Sequence, residues 1–521
     1  MPWIGYRMSA KDYFRPRGDI TTVLDLTDRD AQDNTYFPID ATQSWFHRED
    51  HLTTHPTALS VQEFTQRGPA SWGQTFSFEI GALPAGDLLQ SVVLQIQLDS
   101  WYNNTIINQL SKGEITTDLT HYAEDYWTWM NGLGTGIIEH ADFIVNDQTI
   151  ERITGEFIRV SLNLQSDVNS LFGIAADAFG SVPTVMLSSE GRKPVLETAF
   201  HPRRPFPTED GTYFCVLPFF FLRTKLKELF PLLSCNDKNV RVDVKLRPFD
   251  QVVRRYVGYR SVCGDTPLQL EVPFVTVPGG STVVTKTAVC APEFRDFRIL
   301  TMCSLVTGSL REKFLHQPFE QMIKVMQPFH FDEPLKFLVS KPHPDLDTVE
   351  IQLPLELNHP VIELIWVFRR KAVQINNEWT NFTPAIGLEQ TEQKLFPPWL
   401  RWATIRINGS ELISADGDWF RDTIAKKHQG GLVSYAASIY GYSFAAYPDE
   451  HQPSGTANMS KATSVTINLK VNVPIAKDLR TLPSSCVFDP DVVGGWEVFV
   501  YAIHYNWLRF ENGICNRMFT D

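Results

Sequence analysis

The run from Trp496 to Phe510 narrows the possible fold more than any other part of the chain. On an extended strand, Phe499, Tyr501, Ile503, Tyr505 and Trp507 fall on one face, and Val498, Val500 and Ala502 on the other. A strand that is apolar on both faces must be covered on both, by an opposing sheet and by another domain or subunit. Other segments repeat the period of two with one apolar face. Phe76, Phe78 and Ile80 alternate with Thr75, Ser77 and Glu79, and Val92, Leu94, Ile96 and Leu98 follow after a Gly81–Asp87 turn. Val240, Val242, Val244 and Leu246 alternate with charged residues, as Val465, Ile467, Leu469 and Val471 do with polar ones. Leu217-Pro218-Phe219-Phe220-Phe221-Leu222 reads as a strand buried on both faces. Helical periodicity is confined to 157–173, 225–233 and 417–427.

Many short strands with long irregular connections predict an all-β protein of sandwich type. At 521 residues the chain exceeds what one hydrophobic core usually fills, so two domains are expected. The expected division is an N-terminal arm over 1–60, a first sandwich over 61–255, a linker over 256–291 and a second sandwich over 292–521. Pro278-Gly279-Gly280-Ser281-Thr282 marks the linker. No sequence repeat between the halves is visible by inspection.

Charge and cysteine usage remove several function classes. The formal charge is −13, and the first 50 residues carry six Lys/Arg against nine Asp/Glu. Such a surface repels nucleic acid and anionic membrane, so no direct genome binding is expected. Seven scattered cysteines (215, 235, 263, 290, 303, 486, 515) contain no Cys-x-x-Cys pair. They read as reduced core thiols from a cytosolic setting and form neither a disulfide framework nor a zinc site. The start at Met1-Pro2-Trp3 lacks a signal-peptide pattern, and no window of about 18 apolar residues occurs, so synthesis and folding in the cytoplasm are expected.

Chemistry-bearing patterns are weak. His47, His51 and His55 recur every four residues, but Thr53, Thr54 and Pro56 oppose a helix, so no metal site is expected. Pro453-Ser454-Gly455-Thr456 and Gly279-Gly280-Ser281-Thr282 lack the Gly-Lys-Ser/Thr core of a phosphate loop and read as turns. No Gly-x-Ser-x-Gly elbow occurs. Glu139 and Asp142 are imaginable as acid and base but read as surface charges. Asn103, Asn381, Asn408 and Asn458 open Asn-x-Ser/Thr sequons. Asn381 runs into a proline at 384, Asn458 reads as a structural cap, and Asn103 alone is a candidate for glycosylation. The aromatic clusters at 122–129 and 496–507 read as packing surfaces in preference to sugar-stacking platforms.

Several stretches go beyond pattern. Ile439-Tyr440-Gly441-Tyr442-Ser443-Phe444-Ala445 is followed by Pro448 and then by Gln452-Pro453-Ser454-Gly455-Thr456-Ala457-Asn458-Met459-Ser460. Asn358-His359-Pro360 leads into Val361-Ile362-Glu363-Leu364-Ile365-Trp366-Val367, and Val500-Tyr501-Ala502 precedes Tyr505-Asn506-Trp507-Leu508-Arg509. Gly86-Asp87-Leu88-Leu89, Tyr126-Trp127 with Asn131, and Leu217–Phe221 add matches in the first half. In this order they resemble the major capsid proteins of nucleocytoplasmic large DNA viruses, the chlorella virus and iridovirus group. The chain departs from the pattern at Val145-Asn146-Asp147-Gln148, where the family often has Gly-Gly, around Val306–Glu312, and at Gly513–Phe519. It reads as a diverged member.

The resemblance implies two tandem eight-stranded jelly rolls with an N-terminal arm and a few short helices. It implies a homotrimeric, pseudo-hexameric capsomer that tiles an icosahedral shell, with the loops at 100–135 and 370–400 facing outward. Expected partners are the chain itself, neighbouring capsomers, minor and penton capsid proteins, and an inner virion membrane reached through other proteins. The place of action is the virion capsid, assembled in the host cytoplasm. No catalytic residue, cofactor or metal is implied. Two alternatives stand beside this reading: a minor capsid paralogue of the same fold, and a glycan-binding protein of the virion surface.

Overall fold

The computed structural model describes residues 57–66, 68–81, 86–98, 125–129, 133–165, 185–187, 194–196, 211–222, 229–235, 240–257, 260–262, 269–277, 281–288, 293–306, 308–339, 348–371, 377, 379, 381–382, 398–428, 438–472 and 495–519. All of these lie in the compact unit Pro56–Asp521.

Two sets of eight strands build four antiparallel sheets. In the first half they are β1 (Thr57–Thr65), β2 (Thr75–Glu79), β3 (Leu88–Leu98), β4 (Ile138–Val145), β5 (Gln148–Thr154), β6 (Gly211–Val216), β7 (Val240–Leu246) and β8 (Phe294–Val306). The second half has β9 (Phe319–Phe331), β10 (Thr348–Leu355), β11 (Pro360–Arg370), β12 (Leu400–Ile407), β13 (Ser410–Asp416), β14 (Ile439–Ser443), β15 (Val465–Asn472) and β16 (Trp496–Glu511). The first-half sheets run β1-β8-β3-β6 and β2-β7-β4-β5. The second-half sheets run β9-β16-β11-β14 and β10-β15-β12-β13, with short strands Ala457–Asn458 on β11 and Ile514–Arg517 on β16. Adding eight to each label of the first half gives the second, so the two sandwiches share one topology. Four plus four antiparallel strands in this interleaved order make a jelly roll. The chain is a double jelly roll.

Strand alternation builds each core as expected. In the first roll, Phe76 and Phe78 of β2 meet Phe297 of the facing sheet at ring distances of 4.8 and 5.5 Å. In the second, Trp366 meets Phe420 at 5.3 Å, and Phe368 stacks on Trp399 at 5.7 Å. β16 is covered on both faces. Its Val498, Val500 and Ala502 enter the core of the second roll, while Tyr501, Ile503 and Tyr505 join the apolar cluster of the first. Each fully buried valine or isoleucine among them contributes about 1.5–3 kcal/mol. The cover on the second face is the other roll of the same chain.

The halves also repeat in detail over one module, at a constant offset along the chain. β4 and β12 start at Ile138 and Leu400, and their hairpins to β5 and β13 turn on Asn146-Asp147 and Asn408-Gly409. Both turn residues have positive φ in each case, 51° and 61°, then 52° and 79°, which is the two-residue turn that matches strand twist. A β-bulge falls after Phe143 in one hairpin and after Ile405 in the other. Helices α1 (Gly155–Gln165) and α2 (Gly417–Lys427) follow directly. Thr154 Oγ1 accepts from Phe157 N, and Asp416 Oδ1 from Trp419 N, so each helix has the same cap. The first helical residue is glycine in both, because a Cβ there would overlap the carbonyl oxygen of Ile138 or of Leu400.

Several expectations need correction. Leu217–Leu222, read as a strand, is a buried turn that follows β6, which ends at Val216. Residues 57–60, read as part of an arm, belong to β1, which pairs with β8. β8 lies beyond the boundary read at 291, yet it pairs with β1 and β3 and so completes the first roll. A jelly roll returns its last strand beside its first, a pairing across the whole length of the domain that no local pattern reveals. The stretch 256–291, read as a linker, carries a strand pair, Gln269–Val277 with Ser281–Ala288. Of the expected helices, 417–427 is helical throughout, and helix 157–173 begins at Gly155 and is described to Gln165. In 225–233 the described part, from Leu229 on, has an isolated bridge at Phe230 and the start of a 3₁₀ turn, Leu232–Ser234. The arm through residue 56, with His47, His51 and His55, lies outside the described residues. So do Asn103 and most of the 100–135 and 370–400 loops.

Candidate functional site

The three second-half stretches with family-like sequence converge on β11. This strand lies between β14 and β16, with Trp366 opposite both Tyr440 and Val500. Tyr440 is buried, and its hydroxyl accepts from Leu400 N at 3.4 Å. Gly441 lies under α2, where a Cβ would stand 2.8 Å from Ile424 and 2.9 Å from the Leu364 carbonyl oxygen. The Pro453–Thr456 segment is a turn: Ser454 Oγ accepts from Tyr447 N at 2.9 Å and donates to Tyr447 O at 3.2 Å. Gly455 has φ +147°, and a Cβ there would stand 2.5 Å from the Phe444 carbonyl oxygen. Asn458 caps the 3₁₀ turn Met459–Lys461, as expected, by accepting from Ser460 N. Ser460 Oγ accepts in turn from His359 N at 2.9 Å, and His359, at φ +68°, stacks on His504 at 4.8 Å. These motifs form a packing knot at the start of β11.

A second constellation crosses between the rolls. Glu156, in the first turn of α1, accepts from Arg247 of the first roll and from Arg369 of β11, both at 2.8 Å. Arg369 Nε also donates to Glu497 of β16 at 2.5 Å, and His330 Nε2 lies 2.8 Å from the other Glu497 oxygen. Aromatic rings close the network. Arg247 lies 4.3 Å from the Trp379 ring centre, Arg369 lies 4.7 Å from that of Phe499, and His330 stacks on Phe499. Burial raises the Glu156 pKa, but Arg369 and Arg247 more than offset it and hold the carboxyl at about 2. Burial likewise works against ionised Glu497, and His330 and Arg369 pull its pKa below the ordinary value. The network ties α1 and the end of β7 in one roll to β9, β11 and β16 of the other.

A third cluster lies at the same junction. His428, after the end of α2, places Nε2 2.9 Å from Glu363 and Nδ1 2.5 Å from Asp449. The second contact is ionic and lacks hydrogen-bond geometry. Burial lowers the His428 pKa, and Glu363 with Asp449 more than reverses this, raising it to about 10. Lys324 Nζ donates to the carbonyls of Pro448 and Glu450 at 2.5 and 2.6 Å. Phe157, Ser161 and Leu164 of the first roll line the same cleft.

Two family models match the sequence. One, described as the large eukaryotic DNA virus major capsid protein, matches residues 311–516. The other, the major capsid protein N-terminus, matches residues 44–271. The chain belongs to this family. Among curated relatives, the major capsid protein of Phaeocystis pouchetii virus is 30% identical over 113 residues, 22% of this chain and 19% of that protein. The aligned stretch is thus about a fifth of that relative's length. The chain of the PBCV-1 virus capsid quasi-atomic model superposes with a TM-score of 0.60 at 16% identity, covering 91% of this chain and all of that one. The Faustovirus major capsid protein gives 0.56 at 12%, covering 94% and 96%.

Within this capsid-protein family, the departure at Val145–Gln148 has a physical reading. Asn146 and Asp147 tolerate positive φ better than other side-chain-bearing residues and take the place of the usual glycines. Of the two carboxylates read as surface charges, Asp142 is instead buried and holds Arg152 through two 2.7 Å bonds, while the more exposed Glu139 holds Lys245 at 2.8 Å. Among the described residues one grouping, His330, Asp332 and Glu497, has metal-ligand atoms close together. Arg369 engages Glu497 and Lys371 engages Asp332, so both carboxylates already face cations. The inter-roll network was not read from sequence. The only signal was a charge at each of Glu156, Arg369 and Glu497 within apolar runs.

Proposed function

We propose that this chain is a structural shell protein: three copies form a pseudo-hexameric capsomer, and capsomers tile the icosahedral capsid of a large eukaryotic DNA virus. The observation that carries this reading is the repeated jelly roll. Two sandwiches of one topology, joined through a doubly buried sheet, make a block with two similar wedges. Three such blocks in a closed ring present six wedges, a shape that packs hexagonally. The buried Glu156–Arg369–Glu497 network supports the reading by resisting hinge motion between wedges. The charge of −13 suits a shell that encloses a genome without gripping it. Minor capsid proteins, penton proteins and an inner membrane reached through other proteins complete the proposed surroundings, with assembly in the host cytoplasm.

Light scattering on the purified native protein, with electron microscopy of the same peak, tests the proposal. A mass three times 59.4 kDa with hexagonal outlines is the expected result. A stable monomer at micromolar concentration would overturn it and turn attention to glycan binding.

A further inference from the structure

Two buried thiols meet where the rolls join. Cys235 follows the 3₁₀ turn Leu232–Ser234 of the first roll, and Cys515 sits on the short strand Ile514–Arg517, which pairs with β16 of the second. Both are free thiols. Cys235 donates to the Pro231 carbonyl at 3.9 Å, and Cys515 hydrogen-bonds with Cys235. The packing around them fixes the meeting point. Cys515 lies opposite Phe510, which packs on Phe230 of the first roll at 5.7 Å and stacks on Phe319 at 4.7 Å. Ser234, next to Cys235, donates to the Phe314 carbonyl at 2.7 Å, and the Phe314 ring packs edge-on against Phe319 at 5.2 Å.

The strand that carries Cys515 also straps the second roll onto the first. Asn146, in the β4–β5 turn, donates to the Cys515 carbonyl at 3.0 Å, and Arg517 reaches the Ile150 carbonyl at 3.5 Å. All of these contacts are noncovalent. The strand is four residues long and Ile514 on it is 46% exposed, so local opening releases Cys515 without unfolding either core. The other two described cysteines are occupied differently: Cys215 donates to the Val216 carbonyl, and Cys303 accepts from Thr301.

We infer that Cys235 and Cys515 form an intrachain disulfide under oxidising conditions, a covalent staple between the two rolls. The thiols already touch, so bond formation needs only side-chain rotation and a small shift of the last described strand. The oxidant is a low-molecular-weight disulfide. The Cys235 thiolate attacks it and releases one thiol, and the Cys515 thiolate then attacks the mixed disulfide at the Cys235 sulfur and releases the second. The protein thiols lose two protons and two electrons, and the oxidant leaves as two thiols. The hydrogen bond to Cys235, with burial, holds the Cys515 thiol above its ordinary pKa, so exchange waits for the strand to open. A reducing cytosol keeps the pair as thiols, whereas an oxidising medium closes the link. Cross-linking positions so far apart in sequence strongly constrains the unfolded chain. The inference goes beyond the shell reading and does not depend on it, because the link forms within one chain.

The test incubates the purified full chain with oxidised glutathione at mildly alkaline pH, with and without urea below the unfolding transition. Remaining thiols are alkylated before digestion. Mass spectrometry is expected to find one peptide pair joined through Cys235 and Cys515, from a chain that still runs at 59.4 kDa on non-reducing electrophoresis. The oxidised protein is expected to melt several degrees above the reduced protein, and dithiothreitol should reverse both effects. Cys215→Ala should keep the link and the shift, and Cys235→Ala should lose both. Peptide mapping of the wild type needs no variant, so it decides the matter even where a variant misfolds. Recovery of Cys235 and Cys515 as alkylated thiols in both conditions, or each joined to glutathione, would overturn the assignment.

Discussion

Gly417 packs directly against the carbonyl of Leu400, leaving no room for a Cβ, and Gly155 stands in the same relation to Ile138. In both rolls the helix after the second hairpin strand begins on top of the first residue of the strand before it. The helix start, the hairpin register and the strand start are therefore one mechanical unit, used twice.

Gly417→Ala and Gly155→Ala are each expected to destabilise by about 1–3 kcal/mol, the cost of overpacking against backbone that cannot yield. Denaturant unfolding of the two variants checks this. Gly409→Ala, where a Cβ would meet nothing within 4 Å, is expected to cost less and only through its positive φ. Equal effects at all three sites would count against the close approach.

Removing one partner of the inter-roll network leaves a buried charge uncompensated. Glu156→Gln is expected to cost about 3–5 kcal/mol, and Arg369→Met the same, because Glu156 and Glu497 would lose the cation they share. The double variant should cost less than the two singles together, because the second change removes the charge stranded by the first. Strict additivity in thermal unfolding would show that the network does not act as a unit.

The network also sets an acid limit. Glu156 is held at about 2 against an ordinary 4.5, so its contribution is complete above 4.5 and is lost as pH falls from there toward 2. Wild-type stability should drop across this window more steeply than that of Glu156→Gln. Parallel curves would remove Glu156 from the account.

His428 acts in the opposite sense. Its pKa is raised from 6.5 to about 10, so its contribution is full below 6.5 and declines as pH rises toward 10. His428→Gln is expected to be strongly destabilised at neutral pH, with two facing carboxylates left behind, and to lose the alkaline dependence of the wild type. Melting curves between pH 6 and 10 decide it.

The sequons divide by what their side chains already do. Asn408 Oδ1 accepts from Thr463 N and Ser464 N, and Asn458 Oδ1 accepts from Ser460 N. Any glycan is therefore expected at Asn103, with Asn408 and Asn458 unmodified. Peptide mapping of protein from virions checks this. Replacing Asn458 with Ala should cost about 1 kcal/mol as a lost cap.

Local alternation determined the strands around Phe76, Val92, Val240, Val465 and Trp496, because it is written residue by residue, whereas the apolar run Leu217–Leu222 has no alternation and folds as a turn. Val498 and Tyr501 already told that the last strand would be covered twice, and the spacing from Gly417 to Lys427 already told of a helix. The motifs around Tyr440, Ser454 and His359 carried the family, since each needs a particular residue to fit one turn or one close approach. Tertiary structure alone decided that Phe294–Val306 completes the first roll and that the second cover on β16 is the chain's own first roll. It also brought Glu156, Arg369 and Glu497 together from distant parts of the chain. The same holds for the module repeated in the two rolls: Phe157 and Trp419 share a position in the fold but not a residue type. Alternation is a property of neighbours in the chain, whereas strand order, buried ion pairing and equivalence between rolls depend on which distant segments meet.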